Sequence, residues 1–297
     1  MTSELLDADE FALLNVEAIE LGIHLDGAPQ VRRAMVTTSD GEISALVWGG
    51  GDPELVLLHG GGLNAHTWDG VLLALGRPAV AIDLPGHGHS SWRADGRYDP
   101  EVIAVAVGES IATLAPRARA VAGQSLGGLA TIALGGLHPE LVRRQILVDA
   151  IPAEPITPDN PVGSFLSGPD SFDSRDEIVE RAISFGLGGK RSAVERAVTL
   201  NTVQRDDGRW TWRHHIGQRP SEISISPDFR SLWSPLEGYR GRITLIRGAE
   251  GFVSQDQVAE LYRRIPAVDV TTVETGHNVQ EDDPVGLAQL LERLLGG

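Results

Sequence analysis

Residues 123–127 read Gly-Gln-Ser-Leu-Gly, after the short apolar run Ala120-Val121-Ala122 and at the head of a helix-like stretch. A serine held between glycines at a strand-to-helix turn is strained and has its hydroxyl pushed out of the backbone. Gly123 and Gly127 leave room where a Cβ would meet the neighbouring strand or helix. Serine is a weak nucleophile until a base takes its proton. That base is expected at His277, in Glu274-Thr275-Gly276-His277-Asn278, after the last predicted strand and before the last predicted helix. The chemistry implied is acyl transfer through Ser125, with an acid between Ser125 and His277 in the chain to orient the imidazole.

Two carboxylates compete for the acid's place. Asp149 ends the strand Gln145–Val148, and Glu250 lies just after the strand Arg242–Arg247. Asp149 is favoured, because a strand end fixes direction better than a Gly-flanked loop position. Either residue has a bland reading, as a turn residue or a solvated loop carboxylate. A second glycine run, His59-Gly60-Gly61-Gly62, follows the strand Leu55–Leu58. Its N–H groups suit an oxyanion hole, with Gly61 and Gly62 as donors and the Leu126 N–H as the second arm. No Gly-Lys-Ser/Thr follows it, so a phosphate-binding P-loop is excluded. In Asp83-Leu-Pro-Gly-His-Gly-His-Ser90, Asp83 and His87 are expected to brace a turn; His87-x-His89 has no third ligand at metal-site spacing.

These residues need a scaffold that delivers strand ends to one place. Candidate strands are Val31–Thr37, Ile43–Trp48, Leu55–Leu58, Ala79–Ile82, Ala120–Ala122, Gln145–Val148, Arg242–Arg247 and Val268–Val273. From Leu55 on, helical patterns fall between them, near Trp68–Leu75, Pro100–Leu114, Leu126–Leu137, Ser254–Ile265 and Pro284–Leu295. That alternation predicts βαβ units and a mostly parallel sheet, with the first two strands antiparallel across a turn. Residues 151–235 break the rhythm, opening on a Pro-rich segment (Pro152, Pro155, Pro158, Pro161) and continuing with helical patterns near Arg175–Phe185 and Ser192–Asn201, and Trp210, Trp212, His214 and His215. They read as a cap inserted between residues 1–150 and 236–297, over the strand C-termini where open α/β sheets bind ligands. Phe165, Phe172, Phe185, Trp210, Trp212 and Trp233 are candidates for an apolar pocket or for the cap's own core.

Composition narrows the partners. The 297 residues carry 41 acidic against 25 basic side chains, a formal charge of −16, which disfavours nucleic acid and anionic membranes. There is no cysteine, hence no disulfide or thiol chemistry, and no apolar run approaches the ~20 residues of a membrane span. The acidic start of the chain has no signal-peptide pattern. A cytoplasmic protein is expected, with oligomeric state unreadable.

The motifs His59–Gly62, Asp83–Ser90, Gly123–Gly127 and Gly276–Asn278 together resemble an α/β-hydrolase over nearly the whole chain. The fuller strings 58–69 and 83–92, with Asp9-Glu-Phe-Ala-Leu-Leu14, resemble actinobacterial, mycobacterial-type carboxylesterases. The resemblance implies an eight-stranded, mostly parallel sheet with a mainly helical cap. It implies Ser125 as nucleophile, His277 as base, an oxyanion hole from the Gly61–Gly62 loop and Leu126, and a small-molecule ester substrate with neither metal nor cofactor. Thioesterase, lactonase and C–C hydrolase chemistry, or slow-turnover ligand binding, are the alternatives on this scaffold. The family's usual acid follows the penultimate strand in a Gly-x-x-Asp setting. Here that setting is Gly248-Ala-Glu-Gly251, with glycine in the acid's place.

Overall fold

The computed structural model describes residues 9–152, 168–185, 190–215 and 228–296. Eight strands make one sheet: β1 (Val31–Thr38), β2 (Gly41–Trp48), β3 (Leu55–Leu58), β4 (Ala79–Ile82), β5 (Ala120–Gln124), β6 (Arg144–Val148), β9 (Arg242–Gly248) and β10 (Asp269–Val273). Their order is β1-β2-β4-β3-β5-β6-β9-β10. β1 and β2 pair antiparallel, as does β2 with β4, and every later pair is parallel. Each expected strand is present to within a residue or two.

The central strands form because they are unbroken apolar runs buried on both faces, which is how strands read in a parallel sheet. In β3, alternate side chains serve opposite layers: Leu55 and Leu57 join one core cluster, Val56 and Leu58 the other. One layer is closed by α3 (Pro100–Leu114), α4 (Leu126–Leu137) and α8 (Gln255–Arg264). The other is closed by α1 (Leu14–Glu20), α2 (Asp69–Leu75) and α9 (Pro284–Gly296). The capping box at Ser254 and Gln257 fixes the start of α8.

Between β6 and β9 the described residues form α5 (Arg175–Ser184), α6 (Arg191–Leu200) and a hairpin of β7 (Thr202–Gln204) with β8 (Trp210–Trp212). These elements own a separate small core of Phe172, Ile178, Val179, Ala182, Val194, Val198 and Trp212. The sheet's own core resumes earlier than the sequence pattern implies. Leu232, together with Trp233 and Leu236 on α7 (Trp233–Gly238), already packs in the main cluster. No helix among the described residues is long and apolar enough to cross a membrane.

Candidate active site

Ser125 stands at the C-terminal end of β5 with φ 51° and ψ −118°. Such a conformation costs a non-glycine residue roughly 1–3 kcal/mol, so the surroundings must impose it. They leave no alternative: a Cβ at Gly123 would lie 2.2 Å from the Gly127 carbonyl oxygen, and one at Gly127 would lie 2.3 Å from that of Leu58. The elbow is further tied down by the Ser125 N–H, which donates to Val148 O on β6 at 3.1 Å.

The next strand brings a carboxylate to the histidine. Asp149, at the end of β6, is the other non-glycine residue with positive φ among those described, at 45°. It is 2% exposed, and its Oδ2 lies 2.7 Å from Nδ1 of His277. The carboxylate also accepts from the N–H groups of Gly248 (3.2 Å) and Phe252 (2.6 Å). Three donors on a buried carboxylate fix its direction and compensate its desolvation. Glu250 takes no part: its side chain is exposed, and only its backbone N–H meets the histidine loop, at Thr275 O. The glycine in the acid's usual place now has a reason. A Cβ on Gly251 would stand 2.4 Å from both Asp149 oxygens, so a carboxylate from β6 fills the space that one from the β9 loop would need.

His277 follows β10, stacked on the Phe252 ring at 3.9 Å. With Asp149 accepting at Nδ1, the opposite nitrogen Nε2 is left as the basic atom. Gln124 binds the elbow to this loop, its Nε2 donating to His277 O (3.2 Å) and Asn278 Oδ1 (3.3 Å). Gln124 and Phe252 carry no spacing signature, and sequence reasoning missed both. Ser125, His277 and the glycine loop line one cavity of about 450 Å³ between the sheet and the insert, within the range of small-molecule sites.

The glycine loop departs from expectation at one position. The Gly62 N–H donates to His87 Nε2 at 3.1 Å, so it is committed elsewhere and is no free oxyanion donor. Gly61 and Leu126 differ: among the described residues neither N–H has an acceptor, and Leu126 opens α4 as one of its orphan donors. Gly60 O accepts from Leu63 N (3.2 Å) and pairs with His59 Nδ1 (2.8 Å). His59 Nε2 accepts the Leu84 N–H at 2.9 Å, which leaves the proton on Nδ1 to donate. Burial pulls the His59 pKa below the ordinary imidazole value, which favours this neutral form although Asp83 opposes the shift.

Asp83 is the brace its setting suggests. It is fully buried and accepts from the N–H groups of Ala65 (2.8 Å) and His89 (3.1 Å) and from Arg33 (2.8 Å). Burial alone would raise its pKa, yet Arg33 and these bonds hold it below the usual carboxylate range. His214 is buried and forms a backbone bridge with His87, while His215 lies between Tyr98 and the Trp92 ring; both are packing residues. Of the aromatic pocket candidates, Phe172 belongs to the insert's core, Trp210 and Phe185 lie under Arg175 and Arg181, and Trp233 sits in the main core. Trp212 serves both core and cavity, and Phe165 falls outside the described residues. The cavity wall from the insert combines aliphatic Ala193, Val194 and Val198 of α6 with Arg196, Asn201 and Trp212. No group of three or more His, Cys, Asp or Glu among the described residues is arranged to hold a metal.

A serine elbow, a buried Asp–His pair and free loop donors at the C-terminal edge of this sheet define one class: the chain belongs to the alpha/beta hydrolase family, whose model matches residues 55–290. Within the family it is similar to Esterase Rv0045c of Mycobacterium tuberculosis, 38% identical over 98% of this chain and 97% of the relative. The crystal structure of that esterase superposes with TM-score 0.83 at 37% identity, covering 97% of this chain and 98% of the other. A pimeloyl-[acyl-carrier protein] methyl ester esterase of Aeromonas hydrophila is 32% identical over 58% of this chain and 64% of its own length.

Proposed function

We propose that this chain is a serine carboxylesterase of small to medium acyl esters, with Ser125 as nucleophile, His277 as base and Asp149 as the orienting acid. The observation that carries the reading is the buried 2.7 Å Asp149–His277 contact beside a cavity that also holds Ser125. His277 takes the hydroxyl proton as Ser125 Oγ bonds the ester carbonyl carbon. The carbonyl becomes an oxyanion stabilised by the Gly61 and Leu126 N–H groups. His277 then returns the proton to the departing alcohol, and water, deprotonated by His277, hydrolyses the acyl-enzyme to acid and free Ser125. This chemistry calls for no metal or cofactor.

The ester preference is supported by the name of the 38% identical relative and by the aliphatic side chains Ala193, Val194 and Val198 in the cavity wall. The insert from residue 151 up to Leu232, which already packs in the main core, is taken as the cap, and a small-molecule ester and a cytoplasmic setting suit an acidic chain without cysteine. Ser125→Ala tests the reading: p-nitrophenyl butyrate turnover should fall by about 10³-fold or more, with Tm retained. Unchanged turnover would refute it. Matched acyl esters and thioesters compared as substrates discriminate the esterase from a thioesterase of the same fold.

A further inference from the structure

The loop 60–63 is a tight turn, closed by Leu63 N to Gly60 O, with Gly62 at φ 80° in the position where a type II turn requires a positive angle. Its three successive peptides are each gripped by a side chain. The peptide 60–61 is held at its carbonyl by His59, and because a trans peptide sets N–H opposite C=O, the Gly61 N–H is aimed the other way. The peptide 61–62 is held at its N–H by His87. Both histidines belong to the sheet's own loops. The peptide 62–63 is different. Its carbonyl, Gly62 O, accepts a 2.7 Å bond from Asn201 Nδ2, at the C-terminus of α6 in the insert.

Asn201 is itself built in. It is 8% exposed, and Asn64 Nδ2 donates to its Oδ1 at 3.2 Å and to Leu200 O at 3.1 Å. Those bonds fix which end of the Asn201 amide faces the carbonyl. The insert touches the loop's supports a second time, through the His215 N–H to Gly86 O and the His87–His214 bridge.

Resting on the esterase reading above, we propose that Asn201 is a positioning residue of the oxyanion hole: by holding Gly62 O from the insert, it makes a seated cap a condition for aiming the Gly61 N–H. Glycines give this turn other accessible backbone states, so removing one anchor releases it. The site is then complete only when α6 is docked, and a substrate that presses the cap onto the core assembles its own oxyanion hole.

The test compares Asn201→Asp and Asn201→Leu, which cannot donate to Gly62 O, with Asn64→Asp, which keeps the oxygen that caps His66 N but loses the donor to Asn201. With p-nitrophenyl butyrate, kcat should fall roughly tenfold or more in both Asn201 variants, with KM within about threefold; the Asn64 variant should move the same way by less. Binding of an alkyl boronic acid, which presents a tetrahedral oxyanion, should weaken in step with kcat. Hydrogen–deuterium exchange should speed up across residues 58–65 at unchanged Tm. A folded Asn201→Asp variant with wild-type kcat and unchanged exchange in 58–65 would overturn the proposal. If Asn201 variants do not fold, unchanged kcat and exchange in Asn64→Asp would overturn it equally. If the wild type turns over no ester, the esterase reading fails, while the exchange measurement still decides whether Asn201 holds the loop.

Discussion

Asp149 and Gly251 share one space, and that exclusion supports Asp149 over Glu250 as the orienting acid proposed for His277. A side chain at 251 would stand 2.4 Å from the Asp149 carboxylate, while Glu250 points to solvent. Asp149→Asn should therefore lower kcat by about 10³–10⁴-fold, and Glu250→Gln by less than about twofold. Gly251→Asp alone should be damaging. Combined with Asp149→Gly it should recover activity over Asp149→Gly, because the acid then reaches His277 from the β9 loop; steady-state kinetics of the wild type, the two single variants and the double variant checks this, and a purely additive loss would contradict it. At this scale the sequence was legible where motif and place coincide: the structure brings Ser125, His277 and Asp149 to one place. It was silent where partners are distant in the chain. Nothing near Gly62 announces that His87, 25 residues on, occupies its N–H, and nothing in the spacing of Asn201, Gln124 or Phe252 marks their roles.

At the scale of elements, the central strands were readable because each is a short, largely apolar run buried on both faces, bounded by turn residues. The hairpin β7–β8 was not, since three-residue strands around Asp206-Asp207-Gly208 carry too few alternations to register. The far end of the insert carries no sequence mark for a related reason: Leu232 and Trp233 are apolar in either domain, and only packing assigns them to the main core. The first helix, α1, has a consequence for stability. Arg196 of α6 bonds Glu17 (3.3 Å) and Glu20 (3.5 Å), joining α1 to the insert along the cavity. Burial, reinforced by Asp69 and only partly offset by Arg196, pushes the Glu17 carboxyl up from 4.5 to about 7. Between those values the unfolded chain has lost the proton and the folded chain keeps it, so this group's contribution falls as pH rises from 4.5 through 7. Glu17→Gln, which cannot ionise, should raise Tm relative to the wild type at pH 8, with the difference vanishing near pH 4. Thermal melts across that range test it, and a variant less stable at pH 8 would contradict the assignment.

For the molecule as a whole, the sheet gathers residues 125, 149 and 277 at one edge, and the insert roofs them to make a cavity that neither part forms alone. The fold class was legible from alternation and order of motifs, because topology follows from which runs are long, buried and separated by helices. The cavity's shape was not, since Phe172 went into the insert's core, Trp212 serves both, and α6 lines the space with Ala193, Val194 and Val198 beside Arg196. Ala193→Trp on that face should narrow the cavity, raising KM for long acyl esters several-fold while leaving acetyl esters nearly unchanged; an equal effect along the acyl series would contradict this placement. The central claim, that Ser125 is an acylated nucleophile, is tested most directly by mass spectrometry of the intact chain after exposure to an alkyl fluorophosphonate. One adduct per chain is predicted, on the peptide carrying Ser125, forming far more slowly in Asp149→Asn and absent from Ser125→Ala. Complete loss of ester turnover with the adduct on any other residue, or turnover that survives full modification of Ser125, would contradict it.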